Sequence, residues 1–135
     1  MKTFSIERWL AIAGAALCLI ITVVIWVGVS GQQEMWPLPA LYLIEVVVAA
    51  GVALLGIFRG DAAGEIAAWA VTGLLLGFAV LGILSVGLAY VPVIALVAGA
   101  AIALDRRHWQ RLPLHLGLAV IAGAVQVAMM FLAIR

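Results

Sequence analysis

Glu45 stands inside an apolar run, Leu43-Ile44-Glu45-Val46-Val47. In a bilayer, an acidic group at such a position costs about 2.5–3.5 kcal/mol or more, so it must face protein or water. Two kinds of chemistry suit it: proton or cation handling, or a hydrogen bond or salt bridge to a neighbouring helix or partner chain. Counting 1.5 Å of rise per residue from Pro39 puts Glu45 about 10 Å inside one boundary. Thr22 and Gln126 reach about the same depth on their own segments. An intramembrane polar layer of Glu45, Gln126 and Thr22 is therefore expected, serving packing or ion coupling.

His115 follows Pro113 at the start of the last apolar segment. A lone imidazole there could ligate a pigment, or a haem shared with another subunit. A b-type haem held by one chain would need a second ligand at matching depth. His108 lies in a loop, and Met129 and Met130 are about 20 Å further along the helix. The other use for His115 is a hydrogen bond to lipid headgroups or to a neighbouring helix. Asp105-Arg106-Arg107-His108-Trp109-Gln110-Arg111 is the charged cluster. Its three arginines, Arg106, Arg107 and Arg111, fall short of the four to eight basic residues of a headgroup-binding site. They read as a cytoplasmic basic loop that fixes topology, while Glu34, with Gln32 and Gln33, reads as a solvated loop.

Motifs that would name an enzyme are absent. There is no phosphate-cradling Gly-Lys-Ser/Thr run, no His-Glu-x-x-His pair and no Gly-x-Ser-x-Gly. A single deep carboxyl is a poor basis for acid/base or metal chemistry. The lone cysteine, Cys18, builds neither a disulfide framework nor a metal cluster. The expectation is a chain that is not an enzyme, with no cofactor and no metal. A net charge of +1 gives no field suited to nucleic acid.

The elements that must position these residues follow from composition. Of 135 residues, 68% are hydrophobic and 10% charged, and the mean hydropathy is +1.33. A soluble domain is about 25% charged, and a chain this short cannot bury so much apolar surface within itself. An all-α membrane protein is expected. Apolar stretches cover 9–29, 39–58, 66–104 and 114–134. The third would reach roughly 58 Å as one helix, about twice the bilayer core. It must fold back, and Ser85-Val86-Gly87-Leu88, followed by Tyr90 and Pro92, offers the place. The reading is a five-transmembrane-helix bundle in one domain, with helices near 8–30, 38–58, 65–84, 88–104 and 113–134. Basic residues favour the cytoplasmic side of span ends. Five spans with the N-terminus inside place Lys2, Arg8, Arg59, Arg106, Arg107 and Arg111 inside and Arg135 outside. Trp9, Trp36 and Trp109 fall at interfaces, where indole rings prefer to sit. The first apolar run exceeds the 7–15 residues of a signal core, so it reads as an uncleaved span.

Small residues at four-residue spacing let helices approach closely. Stripes run Ala11-Ala15-Cys18-Thr22, Glu45-Ala49-Ala53-Gly56 and His115-Ala119-Gly123-Gln126. They predict that helices 1, 2 and 5 pack together, with Glu45 hydrogen-bonded to Gln126 or Thr22. Gly73 and Gly77 on helix 3, with Ala95, Gly99 and Ala103 on helix 4, predict further close pairing, within the bundle or across a homodimer interface, with packing inside the chain favoured. Ala89-Tyr90-Val91-Pro92 resembles the Ala-Tyr-hydrophobic-Pro stretch of small multidrug-resistance transporters, which also carry one membrane-embedded glutamate. Here the acid lies on the second helix rather than the first and there are five spans rather than four, so no residue role is carried over. The expected function is a structural or interaction subunit of a membrane complex or homo-oligomer. Its partners would be the lipid bilayer and other membrane subunits or itself. The alternative is a small oligomeric proton- or cation-coupled transporter or channel using Glu45. Clean basic asymmetry and short loops suggest a prokaryotic cytoplasmic (inner) membrane.

Overall fold

In the computed structural model, residues 5–32, 40–82, 86–106 and 108–133 are described. Lys2, Trp36, Ser85, Arg107 and Arg135 lie outside them. Among the described residues all regular structure is helical: α1 (Ile6–Ser30), α2 (Ala40–Arg59), α3 (Ala62–Leu81), α4 (Val91–Asp105) and α5 (Leu112–Ala133). Short 3₁₀ turns at Gly87–Tyr90 and Trp109–Arg111 lead into α4 and α5. With those turns counted, five helices among the described residues are long and apolar enough to cross a membrane, as expected of a multi-pass membrane protein.

The turn between α2 and α3 is built by Gly60 and Asp61. Gly60 has a φ of +65°, a left-handed conformation that glycine adopts without steric cost. Asp61 then caps α3, accepting from the Gly64 N–H at 2.7 Å. Arg59 donates to the same carboxylate at 2.9 and 3.1 Å. This cap starts α3 three residues before position 65 and moves Glu65 from the expected helix boundary into the first turn, where it is buried. The helices on either side touch backbone to backbone. A Cβ on Gly56 would lie 2.8 Å from the Gly64 carbonyl oxygen.

The expected fold-back also rests on glycines. Gly87 N–H donates to the Gly82 carbonyl at 2.8 Å, and a Cβ on Gly87 would come within 2.6 Å of the Gly82 backbone. Pro92 sits in the first turn of α4, where its missing N–H costs nothing.

Helices α1 to α4 form a ring in which each packs against the next and α4 returns to α1. Two cores fill it. One joins Cys18, Val46, Leu75, Phe78, Tyr90 and Val93. The other joins Ala11, Ile57, Ala68, Trp69, Ala100 and Leu104. Helix α5 lies outside the ring against α3 and has the least buried surface of the five. The expected grouping of helices 1, 2 and 5 is therefore corrected. The His115-Ala119-Gly123-Gln126 stripe does face inward, but toward α3.

There it meets Gly73 and Gly77, so these two glycines make a close pairing within the bundle. A Cβ on Gly77 would lie 2.7 Å from the Gly123 carbonyl oxygen, and one on Gly73 would collide with the Ala119 carbonyl. Gly73 is level with Ala119 and Gly77 with Gly123, so α3 and α5 run parallel. On α4, Ala95 is exposed, Ala103 is half-buried, and a Cβ on Gly99 would lie 3.7 Å from Leu10 Cδ1 of α1.

Gly73→Ala should force α3 and α5 apart at a cost of about 1–3 kcal/mol, as overpacking does. Thermal unfolding in detergent, read by fluorescence, should show a midpoint lower by several degrees. Gly117→Ala, which meets nothing within 4 Å, should leave it unchanged or higher. The Asp61 carboxyl is held below its ordinary value, first by the Gly64 N–H and then by Arg59. Its contribution should therefore be present above the ordinary carboxylate range, near 4, and fade as pH falls through the lower folded value. The stability gap between wild type and Asp61→Asn should narrow accordingly in an acid titration.

Candidate functional site

Three buried ionisable side chains meet at the end of the bundle that holds the α2–α3 and α4–α5 connections. Glu65 comes from the first turn of α3, Asp105 is the last residue of α4, and His115 lies in the first turn of α5. Their relative exposures are 5%, 1% and 3%. One donor atom from each lies within 4.8 Å of the other two. Alternation of helix direction explains the meeting, since the starts of α3 and α5 share an end with the finish of α4.

Each member ends a buried row. On α3 the row is Glu65-Trp69-Gly73-Gly77, on α4 it is Val97-Ala101-Asp105, and on α5 it is His115-Ala119-Gly123, with Ala119 half-buried. Packing of the small residues above brings the polar ends together. The parallel register puts Trp69 level with His115, and their rings stack with centroids 6.4 Å apart at 28°.

His115 Nδ1 lies 2.8 and 3.0 Å from the two Asp105 carboxylate oxygens and donates to them. His115 thus has a neighbouring-helix partner, and the headgroup role is corrected by its burial. An apolar groove lined by Ile66, Pro113, Leu114, Gly117, Leu118 and Ile121 touches the ring. At 3% exposure, however, the ring offers a macrocycle no approach. His108, with its side chain 53% exposed, places Nδ1 3.6 Å from Glu65 Oε1 and stands at the rim of the cluster. Among the described residues, two buried side-chain polar atoms have no partner: Glu65 Oε2 and Trp69 Nε1. Buried polar groups are normally satisfied, so an orphaned carboxylate oxygen beside an aspartate and a histidine marks a place for a cation or a proton.

The expected polar layer is arranged differently. Thr22 Oγ1 is hydrogen-bonded to the Tyr90 hydroxyl at 2.9 Å, and Tyr90 meets Phe78 edge-on. Gln126 is buried where α5 faces Gly77. Glu45 is exposed on the outer side of α2 and hydrogen-bonds neither of them. Glu45 and Gln126 share only a narrow groove, lined also by Val46, Ala49, Leu74, Leu75 and Phe78. The α2 row that turns inward is Leu43, Val46, Ala50, Ala53 and Ile57, which leaves Glu45 beside it rather than in it. Arg106 and Arg111 are exposed, as expected of a basic loop.

Reading one segment at a time missed Glu65 and Asp105, because both sit where apolar stretches begin and end. The available signal was their spacing. Glu65 is in register with Trp69, Gly73 and Gly77, and Asp105 with Ala101 and Val97.

Removing one member of a buried hydrogen-bonded pair leaves the other unsatisfied, at a cost of about 1–3 kcal/mol, more where a charged group is stranded. Asp105→Ala should therefore lower the thermal midpoint in detergent more than any surface substitution, and His115→Ala should do the same. No protein-family model, curated protein or solved structure matches the chain.

Proposed function

We propose that the protein is a multi-pass protein of a prokaryotic cytoplasmic membrane, with its N-terminus inside, acting as a non-catalytic interaction subunit through the outer face of α2. The basic asymmetry supports the threading, since Arg8, Arg59, Arg106 and Arg111 all fall at one side of the five spans. Extensive exposed apolar surface on every helix supports the location.

One observation carries the subunit role. Glu45 is exposed among Leu41, Ile44, Val48, Val52 and Leu55, which are exposed as well. A carboxyl left facing hydrocarbon is costly, and a second chain covering that face removes the cost. The covering chain is either a second copy or another membrane subunit. Proton- or cation-coupled transport is the other reading, favoured by the groove that Glu45 shares with Gln126. A chain this short would still have to assemble to enclose a path.

The test is the mass of the particle extracted in mild detergent, from the native host and from cells expressing the chain alone. Wild type should run as a dimer, a larger oligomer or a complex with stoichiometric partner chains. Glu45→Leu, with a side chain at ease in lipid, should remain folded and shift toward the 14.2 kDa single chain. Wild type running as that single chain from both sources would overturn the reading. Association that survives Glu45→Gln, together with loss of proton-coupled flux, would move the weight to transport.

A further inference from the structure

We infer that Glu65, Asp105 and His115, with His108 at the rim, form a binding site for one divalent transition-metal ion that ties α3, α4 and α5 together. Three observations converge. The donors already lie within 4.8 Å of one another. Bonds of about 2.0–2.2 Å to nitrogen and oxygen place neighbouring ligands about 3–3.5 Å apart, so a small contraction suffices. The Glu65 side chain is 6% exposed and one of its oxygens has no partner. Among the described residues, the basic group paired with the other oxygen is His108, 3.6 Å away and more than half exposed, which compensates the carboxylate poorly.

Charge also favours an ion. Two carboxylates and a neutral imidazole around a divalent cation sum to zero, which suits a site shielded from water. A mixed imidazole and carboxylate set favours the zinc, manganese and ferrous class over calcium, which takes six to eight oxygens. The fold supplies the need for such a tie. Helix α5 is held to the ring by α3, and the ion would join it to the end of α4 as well. His108, on the exposed side, completes the ligand set and gives access from the aqueous boundary.

The experiment uses the full chain in detergent, carrying a tag without histidine, stripped with a chelator and titrated with Zn²⁺ or Co²⁺. Wild type should take up one equivalent, and its thermal midpoint should rise by several degrees on binding. Glu65→Gln keeps the shape of the side chain and breaks no close hydrogen bond. It should weaken binding by about a hundredfold, the upper end of what losing even an outer-shell partner costs, while its metal-free midpoint stays near wild type. His108→Ala should weaken binding less.

X-ray absorption on the wild type keeps the test independent of any variant's folding. It should show a shell of nitrogen and oxygen with imidazole scattering. Uptake well below one equivalent, equal binding by Glu65→Gln, or a sulfur ligand from Cys18 would each overturn the assignment. The proposed Glu45 contact is separable from this result, since it is read by particle mass in metal-free protein.

Discussion

The contact on which the rest depends is that of backbone on backbone between α3 and α5, where Gly73 meets Ala119 and Gly77 meets Gly123. At Gly73 and Gly77 no side chain separates the helices, so backbone meets backbone, and their sliding and rotation are limited together. That register stacks Trp69 on His115 and brings Glu65 to the same end as Asp105. A shift of one residue would turn His115 by about 100° around the helix axis, since 3.6 residues make a turn. The polar cluster would then lose its third member. Small residues in the middle of two helices thus decide the chemistry at their ends.

The interior treats its polar groups unevenly. Thr22 and Tyr90 satisfy each other, Thr72 donates to the Ala68 carbonyl one turn back, and His115 pairs with Asp105. The first two bonds close locally and ask nothing of a ligand, whereas the His115–Asp105 pair borders Glu65. Glu65 and Trp69 differ, because each keeps a buried polar atom without a partner, in adjacent turns of one helix face. An unmet group in a low-dielectric setting costs more than an ordinary hydrogen bond contributes. Such a pair, placed beside a paired aspartate and histidine, is the least economical spot in the described structure and the most suited to holding something.

The outside poses a separate problem. In four of the helices the exposed face is almost wholly apolar at mid-span, as lipid would require. On α2 a carboxyl interrupts it. Glu45 and the buried cluster lie near opposite ends of the bundle, since Glu45 is close to the start of α2 and Arg59 at its finish borders the turn into α3. Lateral association and the internal tie are therefore physically independent, one acting through the surface of α2 and the other through the inner ends of α3, α4 and α5.

Composition and spacing alone determined much of this protein. Hydropathy and length dictate five apolar helices, because 68% hydrophobic content cannot be hidden in 135 residues. The reversal near Gly87 follows from the geometric limit on one span. The inward face of α5 was legible from its small-residue row, because periodicity reports which side of a helix is smooth. Periodicity does not report which neighbour lies against that side. Gly73 and Gly77 could have met α4 or α5, and only the packed bundle chose α5. The same limit hid the site. Glu65, Asp105 and His115 are separated by 40 and 10 positions, and each read singly is an ordinary boundary residue. Asp61 capped α3 early enough to pull Glu65 inside, and the Gly73–Ala119 contact set the register that closed the group. Glu45 shows the converse, since its depth was readable by counting, but its outward direction depends on which row of α2 the other helices cover.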